Sequence, residues 1–240
     1  MKRAEDYGAP TKRMRTEDEN GPEEDKKTIR FVEKGTLLTI ADNGLMVLGT
    51  KGYCMARTNI GAKSGNYYYE ITLQPSEIEY HVRFGYGTKK ADINGPVGFD
   101  EYSFAYRDLQ GSIVHKSTRK DGYGDAFGNN KAYEWDLHSI GPGDTVGALI
   151  YLPPVEAIVE EPPHLEGSTN PSPGPIGKLG SISFFVNGKD QGVAFADIPC
   201  GEDYYPCVSI YHAGSIVANF GPEFTKPPNV SIPISSFASI

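Results

Sequence analysis

Bulky residues alternate with small or polar ones in short runs along most of the chain. In Tyr67-Tyr68-Tyr69-Glu70-Ile71-Thr72-Leu73 and in His81-Val82-Arg83-Phe84-Gly85-Tyr86, successive positions fall on opposite faces, which is the period of a β-strand. Val146 to Leu152 reads as a buried strand. Ser181 to Val186 and Gln191 to Phe195 flank Asn187-Gly188, two residues tolerant of positive φ, so this stretch predicts a hairpin closed by a tight primed turn. Tyr205 to Tyr211 and Ser215 to Phe220 add strands on either side of His212-Ala213-Gly214. The pattern from Phe31 to Phe220 gives about a dozen strands and no helix, which predicts an all-β fold: an antiparallel two-sheet β-sandwich.

The flanks read differently. Residues 1–28 carry seven Lys/Arg and eight Asp/Glu without one Val, Ile, Leu, Phe or Trp, so they cannot bury enough apolar area to offset the entropy of ordering. Residues 1–30 are therefore expected to be a disordered charged tail. Its basic clusters, Lys2-Arg3 and Lys12-Arg13-Met14-Arg15, have the form of a two-part import signal or of a phosphate-binding arm. The folded domain is expected over 31–228. Within it, residues 153–178 form a Pro/Glu-rich inserted loop, because strand signals resume directly afterwards. Residues 229–240 read as a C-terminal tail.

Composition agrees with a turn-rich β protein. Gly 28 and Pro 18 make 46 of 240 residues, and the aromatics are 15 Tyr and 11 Phe with one Trp. No apolar run approaches the roughly 18 residues of a membrane span, and the charged start is unlike a secretory signal. Three scattered cysteines, Cys54, Cys200 and Cys207, are poor material for a disulfide framework and suit a reducing compartment. Residues 1–30 hold eight basic and eight acidic side chains, so the net charge of −8 lies wholly in the remainder. Nucleic-acid binding by the whole domain is thereby disfavoured, while a local patch is not. The candidates for DNA phosphate contact are Lys89, Lys90, Lys116, Arg119 and Lys120, together with Lys12, Arg13 and Arg15 of the tail; simple solubility is the competing account.

Catalytic signatures are missing from the sequence. The five histidines show no HExxH pattern and no zinc spacing with cysteine, so no metal and no cofactor is expected. Ser215 lies in no GxSxG elbow, and Gly122-Tyr123-Gly124-Asp125-Ala126-Phe127-Gly128 lacks the lysine and the following helix of a phosphate loop, which leaves a turn. The carboxylate pairs Asp100-Glu101 and Glu202-Asp203 are adjacent, so on a strand their side chains point to opposite faces. The chain reads as a non-enzyme.

Specificity enters with an ordered series of motifs. Lys51-Gly52-Tyr53-Cys54-Met55-Ala56-Arg57, Gly65-Asn66-Tyr67-Tyr68-Tyr69-Glu70-Ile71 and Val82-Arg83-Phe84-Gly85-Tyr86 resemble the core of a SPRY domain. Gly95-Pro96-Val97-Gly98-Phe99-Asp100, Tyr102 to Arg107, the Gly122-Tyr123-Gly124 turn, and Gly143-Asp144 leading to Tyr151-Leu152-Pro153 resemble its Ash2 (Bre2-type) branch. Phe185-Val186-Asn187-Gly188, Gln191-Gly192-Val193-Ala194, Tyr205-Pro206, Asn219-Phe220-Gly221-Pro222 and Pro227-Pro228 follow in the same order, so the resemblance covers about residues 35–228.

The resemblance implies a nuclear, non-catalytic scaffold subunit of the trithorax/COMPASS complexes that methylate histone H3 at lysine 4. In that family the SPRY surface grips an acidic segment of a WD-repeat subunit, and the pair stimulates the SET-domain methyltransferase. The family's contact positions fall on Tyr53, Arg83, Pro96, Phe99 and Arg107, with Phe99 standing where the family usually has Tyr. The residue chemistry points the same way: two guanidiniums can take carboxylates in bidentate geometry, flat rings provide walls and a proline provides a rigid rim. Pairing of Arg83 with Glu70 or Glu79, a surface-loop place for Arg107, and core or turn packing of Tyr53, Pro96 and Phe99 are the alternatives for these residues. Past Pro228 there is no amphipathic helix of the kind that docks into the Dpy30/Sdc1-type dimer, so that partner is not expected from this stretch. A generic SPRY module recruiting substrates for ubiquitin ligation, and a carbohydrate-binding sandwich, are the competing functions.

Overall fold

The computed structural model describes residues 28–76, 78–128, 143–154 and 179–239. The tail residues Lys12, Arg13 and Arg15, and the inserted loop from 155 to 178, lie outside the described residues. The strands are β1 (Phe31–Lys34), β2 (Leu38–Ala41), β3 (Met46–Gly49), β4 (Cys54–Thr58), β5 (Gly65–Leu73), β6 (His81–Gly87), β7 (Ser103–Arg107), β8 (Ser112–His115) and β9 (Thr118–Lys120). They continue with β10 (Thr145–Leu152), β11 (Gly180–Val186), β12 (Lys189–Ile198), β13 (Tyr205–Tyr211), β14 (Ser215–Asn219) and β15 (Ser235–Ser236). One sheet has the order β1-β4-β13-β6-β7-β8-β9, the other β12-β11-β10-β5-β14-β3-β2, and every pairing along these two paths is antiparallel. The expected two-sheet sandwich is therefore the observed fold.

Alternation decides which residues meet between the sheets. Val82, Phe84 and Tyr86 of β6, Phe104 and Tyr106 of β7, and Val208 and Ile210 of β13 face Tyr69, Ile71, Val146, Ala148, Ile150, Ile182 and Phe184, all buried in one cluster. Two tyrosines cross this interface in opposite directions. The Tyr69 hydroxyl donates to the Gly85 carbonyl (2.6 Å) and accepts from the Gly85 amide (3.1 Å). The Tyr86 hydroxyl lies 3.0 Å from the carbonyls of both Tyr67 and Ala148 in the opposite sheet. Burial pushes both phenols well above their ordinary pKa, so they act as neutral hydrogen-bonding groups. Gly85, at φ +155°, lets its peptide turn inward; a Cβ there would lie 2.1 Å from the Phe104 carbonyl oxygen.

The packed unit extends beyond residues 31–228 at both ends. Ile29 joins the core, and β15 pairs in parallel with Tyr67 and Tyr68 of β5, beyond the Glu70 to Leu73 stretch that β14 occupies. That edge of β5 would otherwise leave backbone groups unpaired. Phe237 is fully buried, with its ring 5.0 Å from Tyr67 and 6.2 Å from Tyr86. On the way there the chain lays Phe224, Val230 and Ile234 over Tyr68, Leu149 and Phe185, on the outer face of the second sheet. The Glu70 carboxylate is fully buried beneath this segment and accepts from Asn219 Nδ2 (2.9 Å), the Lys226 amide (3.0 Å) and the Thr225 amide. Isolated apolar residues such as Ile29 and Phe237 carry no period, which is why the alternation stops short of them.

Phe237→Ala should therefore lower the unfolding free energy by about 3–5 kcal/mol, as for other buried aromatics. Urea unfolding followed by tyrosine fluorescence measures this; an unchanged midpoint would mean that the C-terminal segment is not part of the cooperative unit.

Candidate functional site

The outer face of the first sheet carries a row of direct register partners, Met55, Ser209, Arg83, Arg107 and Ser112, running across β4, β13, β6, β7 and β8. Arg83 and Arg107 are thus side by side, and both are half-buried. The next row toward the strand ends is aromatic: Tyr211 is the register partner of His81, and the Tyr53 ring stacks on Tyr211 at 5.1 Å. The Arg83 guanidinium lies over the Tyr53 ring, 4.9 Å from its centroid. Asp108, directly after β7, is buried and sits 2.9 Å from His81 Nδ1.

A loop from Thr88 to Tyr102 covers the other half of this face. Beneath it Met55, Ala91, Val97, Ala105, Val114 and Cys207 form a small second core. Several side chains fix its path. Arg57 donates from Nη1 to the Thr88 carbonyl (2.8 Å) and from Nε to Glu33 (3.0 Å), and Glu33 also takes Lys89. The Asp100 carboxylate accepts from the Asp92 amide (2.7 Å) and the Tyr102 amide (3.0 Å). The Val97 amide donates to Ser209 Oγ at 2.8 Å, which brings Pro96 beside the guanidinium row. A turn from Pro96 to Phe99 follows, and Ser117 Oγ, at the tip of the β8–β9 hairpin, donates to the Phe99 carbonyl at 2.7 Å. The Phe99 ring is 49% exposed.

The structure thus joins Tyr53, Arg83 and Arg107 directly and sets Pro96 and Phe99 on the adjoining rim. The sequence alternatives for the arginines are not what is observed. Glu70 is engaged on the other sheet, and Glu79 lies 3.9 Å from His81 Nε2. Neither guanidinium has an ion-pair partner among the described residues, and Nε of each is shut from solvent without a hydrogen bond. Burial pushes the Arg83 pKa below its ordinary value, the like charge of Arg107 adding to the effect while Tyr53 and Asp108 oppose it. An arginine remains protonated through such a shift. The Tyr53 phenol is pushed up, by burial first and by Asp108 second.

Tyr211, His81, Asp108 and Ser209 belong to the site and were not singled out from the sequence. His81 was within reach, since it lies two residues from Arg83 on β6 and period two puts such residues on one face, whereas Tyr211 joins the site only through its pairing with His81. Asp108 and Ser209 carry no such signal. The basic group proposed for DNA is divided between the start of the loop and the β8–β9 hairpin. Lys89 faces Glu33, Lys90 faces Glu202, Lys116 is 3.6 Å from Glu101 and Arg119 is 2.9 Å from Asp121, while Lys120 is exposed.

Other chemistry is muted. Cys54, Cys200 and Cys207 form no disulfide, and burial pushes the Cys207 thiol up to about 12. The Gly122-Tyr123-Gly124 turn packs on β12, where the Tyr123 hydroxyl meets the Gly192 carbonyl.

No family model matches the chain. It is 29% identical over 219 residues to the Drosophila melanogaster protein named Set1/Ash2 histone methyltransferase complex subunit ASH2, covering 81% of this chain and 36% of that one. The Caenorhabditis elegans protein named Set1/Ash2 histone methyltransferase complex subunit ash-2 is 27% identical over 229 residues, covering 84% and 38%. The Schizosaccharomyces pombe Set1 complex component ash2 is 26% identical over 260 residues, covering 84% and 37%. The chain thus has homologues named as Ash2-type subunits in an insect, a nematode and a yeast, and spans a little over a third of their length. Among solved structures, the SPRY domain of human HERC1 is 18% identical, with coverage of 76% of this chain and 92% of that chain and a TM-score of 0.48.

The rim depends on Ser209. Ser209→Ala leaves the buried Val97 amide without its acceptor and should cost about 1–3 kcal/mol. Amide hydrogen exchange at Val97 should accelerate accordingly; unchanged exchange would show that the loop is held without that bond.

Proposed function

We propose that this chain is a SPRY-type interaction module of a nuclear histone H3 lysine 4 methyltransferase complex of the Set1/COMPASS kind. It binds an acidic segment of a WD-repeat subunit on the face built by Tyr53, Arg83, Pro96, Phe99 and Arg107. The observation that supports this reading is the pair of neighbouring guanidiniums with unsatisfied Nε groups and no ion-pair partner among the described residues. Such a pair is incomplete until an anion arrives, and a guanidinium presents a fork that fits a carboxylate in two parallel hydrogen bonds. The names of the homologues supply the setting in which that anion is offered.

The mechanism is binding alone. The Tyr53–Tyr211 stack flanks the guanidinium pair on one side and the Pro96 to Phe99 turn on the other, so the site is formed before its ligand binds and little ordering cost falls on this chain. The cost falls on the partner segment. Once ordered, that segment presents a fixed surface to the SET-domain enzyme and raises the population of its active arrangement. Lys89, Lys90, Lys116 and Arg119, each already facing a carboxylate, are left out of the proposed surface.

Calorimetric titration with an acidic peptide from the WD-repeat subunit tests the reading. Wild type should bind with a dissociation constant on the order of micromolar, and Arg83→Ala or Arg107→Ala should each weaken binding about thirtyfold or more with the fold intact by circular dichroism. Binding should also weaken with added salt. No binding by folded wild type would sink this reading and turn the search toward a partner outside methyltransferase complexes, such as a substrate for ubiquitin ligation.

A further inference from the structure

An acidic ligand makes one feature of the site paradoxical. Asp108 places a carboxylate, 1% exposed, beside the guanidinium row. A fixed negative charge there should repel the ligand unless something cancels it. The cancelling group is at hand: His81 lies two residues before Arg83 on the same face of β6, and its Nδ1 is 2.9 Å from Asp108 Oδ2. The Tyr211 ring stacks on the imidazole at 6.2 Å and 20°, which holds it in place within the aromatic wall.

We propose that His81 and Asp108 set the charge of this docking site, with His81 acting as a third, titratable cation that favours an acidic segment. The inference rests on the docking reading given above. Among the groups around His81 are Asp108 and Arg107 at the end of β7, Glu79 ahead of β6 at 3.9 Å from Nε2, Arg83 on its own strand, and Tyr211 from β13 with Tyr53 and His212 stacked on it. Two guanidiniums and an imidazolium against the Asp108 carboxylate give +2; a neutral imidazole leaves +1. The exposed Glu79 carboxylate takes these to +1 and zero. Deprotonating one ring therefore removes the local excess of positive charge.

The sign follows from the geometry. The hydrogen bond to Asp108, reinforced by Glu79, raises the His81 pKa against burial and Arg107, so the imidazolium persists to a higher pH than in a free histidine. Affinity for an anion is then highest below that pKa and falls as the pH rises through it. By linkage, bound peptide must raise the His81 pKa in turn.

The experiment uses the full chain and a synthetic, histidine-free acidic peptide of the WD-repeat subunit, titrated at constant ionic strength from about pH 6 to about 8.5, where the peptide carboxylates stay ionised. Wild-type affinity should fall about threefold to tenfold across this range. The His81 C2 proton, assigned by its loss in His81→Asn, should titrate at higher pH when peptide is bound. His81→Asn places an amide nitrogen where Nδ1 was, keeping a donor for Asp108 without the charge; it should bind with a flat pH profile near the wild-type affinity at high pH. A constant wild-type affinity, an unmoved His81 midpoint, or an unchanged slope in His81→Asn each overturns the inference while leaving the docking reading in place. Absence of binding by folded wild type at every pH overturns both.

Discussion

Tyr69 reaches out of one sheet into the backbone of the other, and Tyr86 reaches back. Their hydroxyls engage Gly85, Tyr67 and Ala148 at 2.6 to 3.1 Å in the middle of an apolar core. Each such bond contributes about 1 kcal/mol net, but an unmade one in that setting would cost about 1–3 kcal/mol, so the two sheets can slide past each other only by giving up both. The register between β6 and β5 is fixed by this constraint, and with it the side each residue of β6 faces. Phe84 and Tyr86 must point inward, so Arg83 must point outward.

The outward face then needs cover. A sheet bearing Met55, Ala105 and Val114 on its outer side loses too much by staying wet, and the Thr88 to Tyr102 loop closes over that half. It stops at Ser209, whose hydroxyl takes the Val97 amide, and the next two positions of that row are left to the guanidiniums. The candidate site is thus the boundary between a covered half and an open half of one sheet. Its walls are rigid for different reasons: ring stacking on one side, and side-chain bonds to the loop backbone on the other. The protein as a whole is acidic at −8, so two neighbouring guanidiniums stand out against its own surface.

The long strands were legible because both of their faces had assigned roles. β5, β6, β10, β11, β13 and β14 lie within two residues of the alternating runs. The Asn187-Gly188 turn has φ of 52° and 82° with Val186 opposite Lys189, the two-residue primed loop its sequence predicts. The β8–β9 hairpin uses the same kind of turn, but its positive-φ residues are Lys116 and Ser117, which carry no such signature. Three-residue β9 is exposed throughout and β15 is only two residues long, so neither shows a period. The site was legible where charge and ring chemistry stood on a readable strand, as at Arg83 and Arg107. Asp108 and Ser209 gain their roles only from pairing across strands, which a linear pattern does not contain.

Arg57 shows what an arginine does when the fold alone requires it. It lies on the same outer face, is 5% exposed, and has its guanidinium filled: Glu33 takes Nε and Nη2, and the carbonyls of Thr88 and Ala91 take Nη1. Its charge is matched and its donors are used, and in return the loop is tied to the sheet. Arg83 and Arg107 have none of this. Like charges placed opposite each other on neighbouring strands are destabilising, and each buries an Nε without an acceptor. Ser209 and Ser112 on either side of the pair show that small neutral residues fit the face. Within the described residues the pair gains only the Tyr53 ring under Arg83, so on stability alone the face would be better served by the small residues that flank it, and a cost of this kind is what the proposed docking role accounts for.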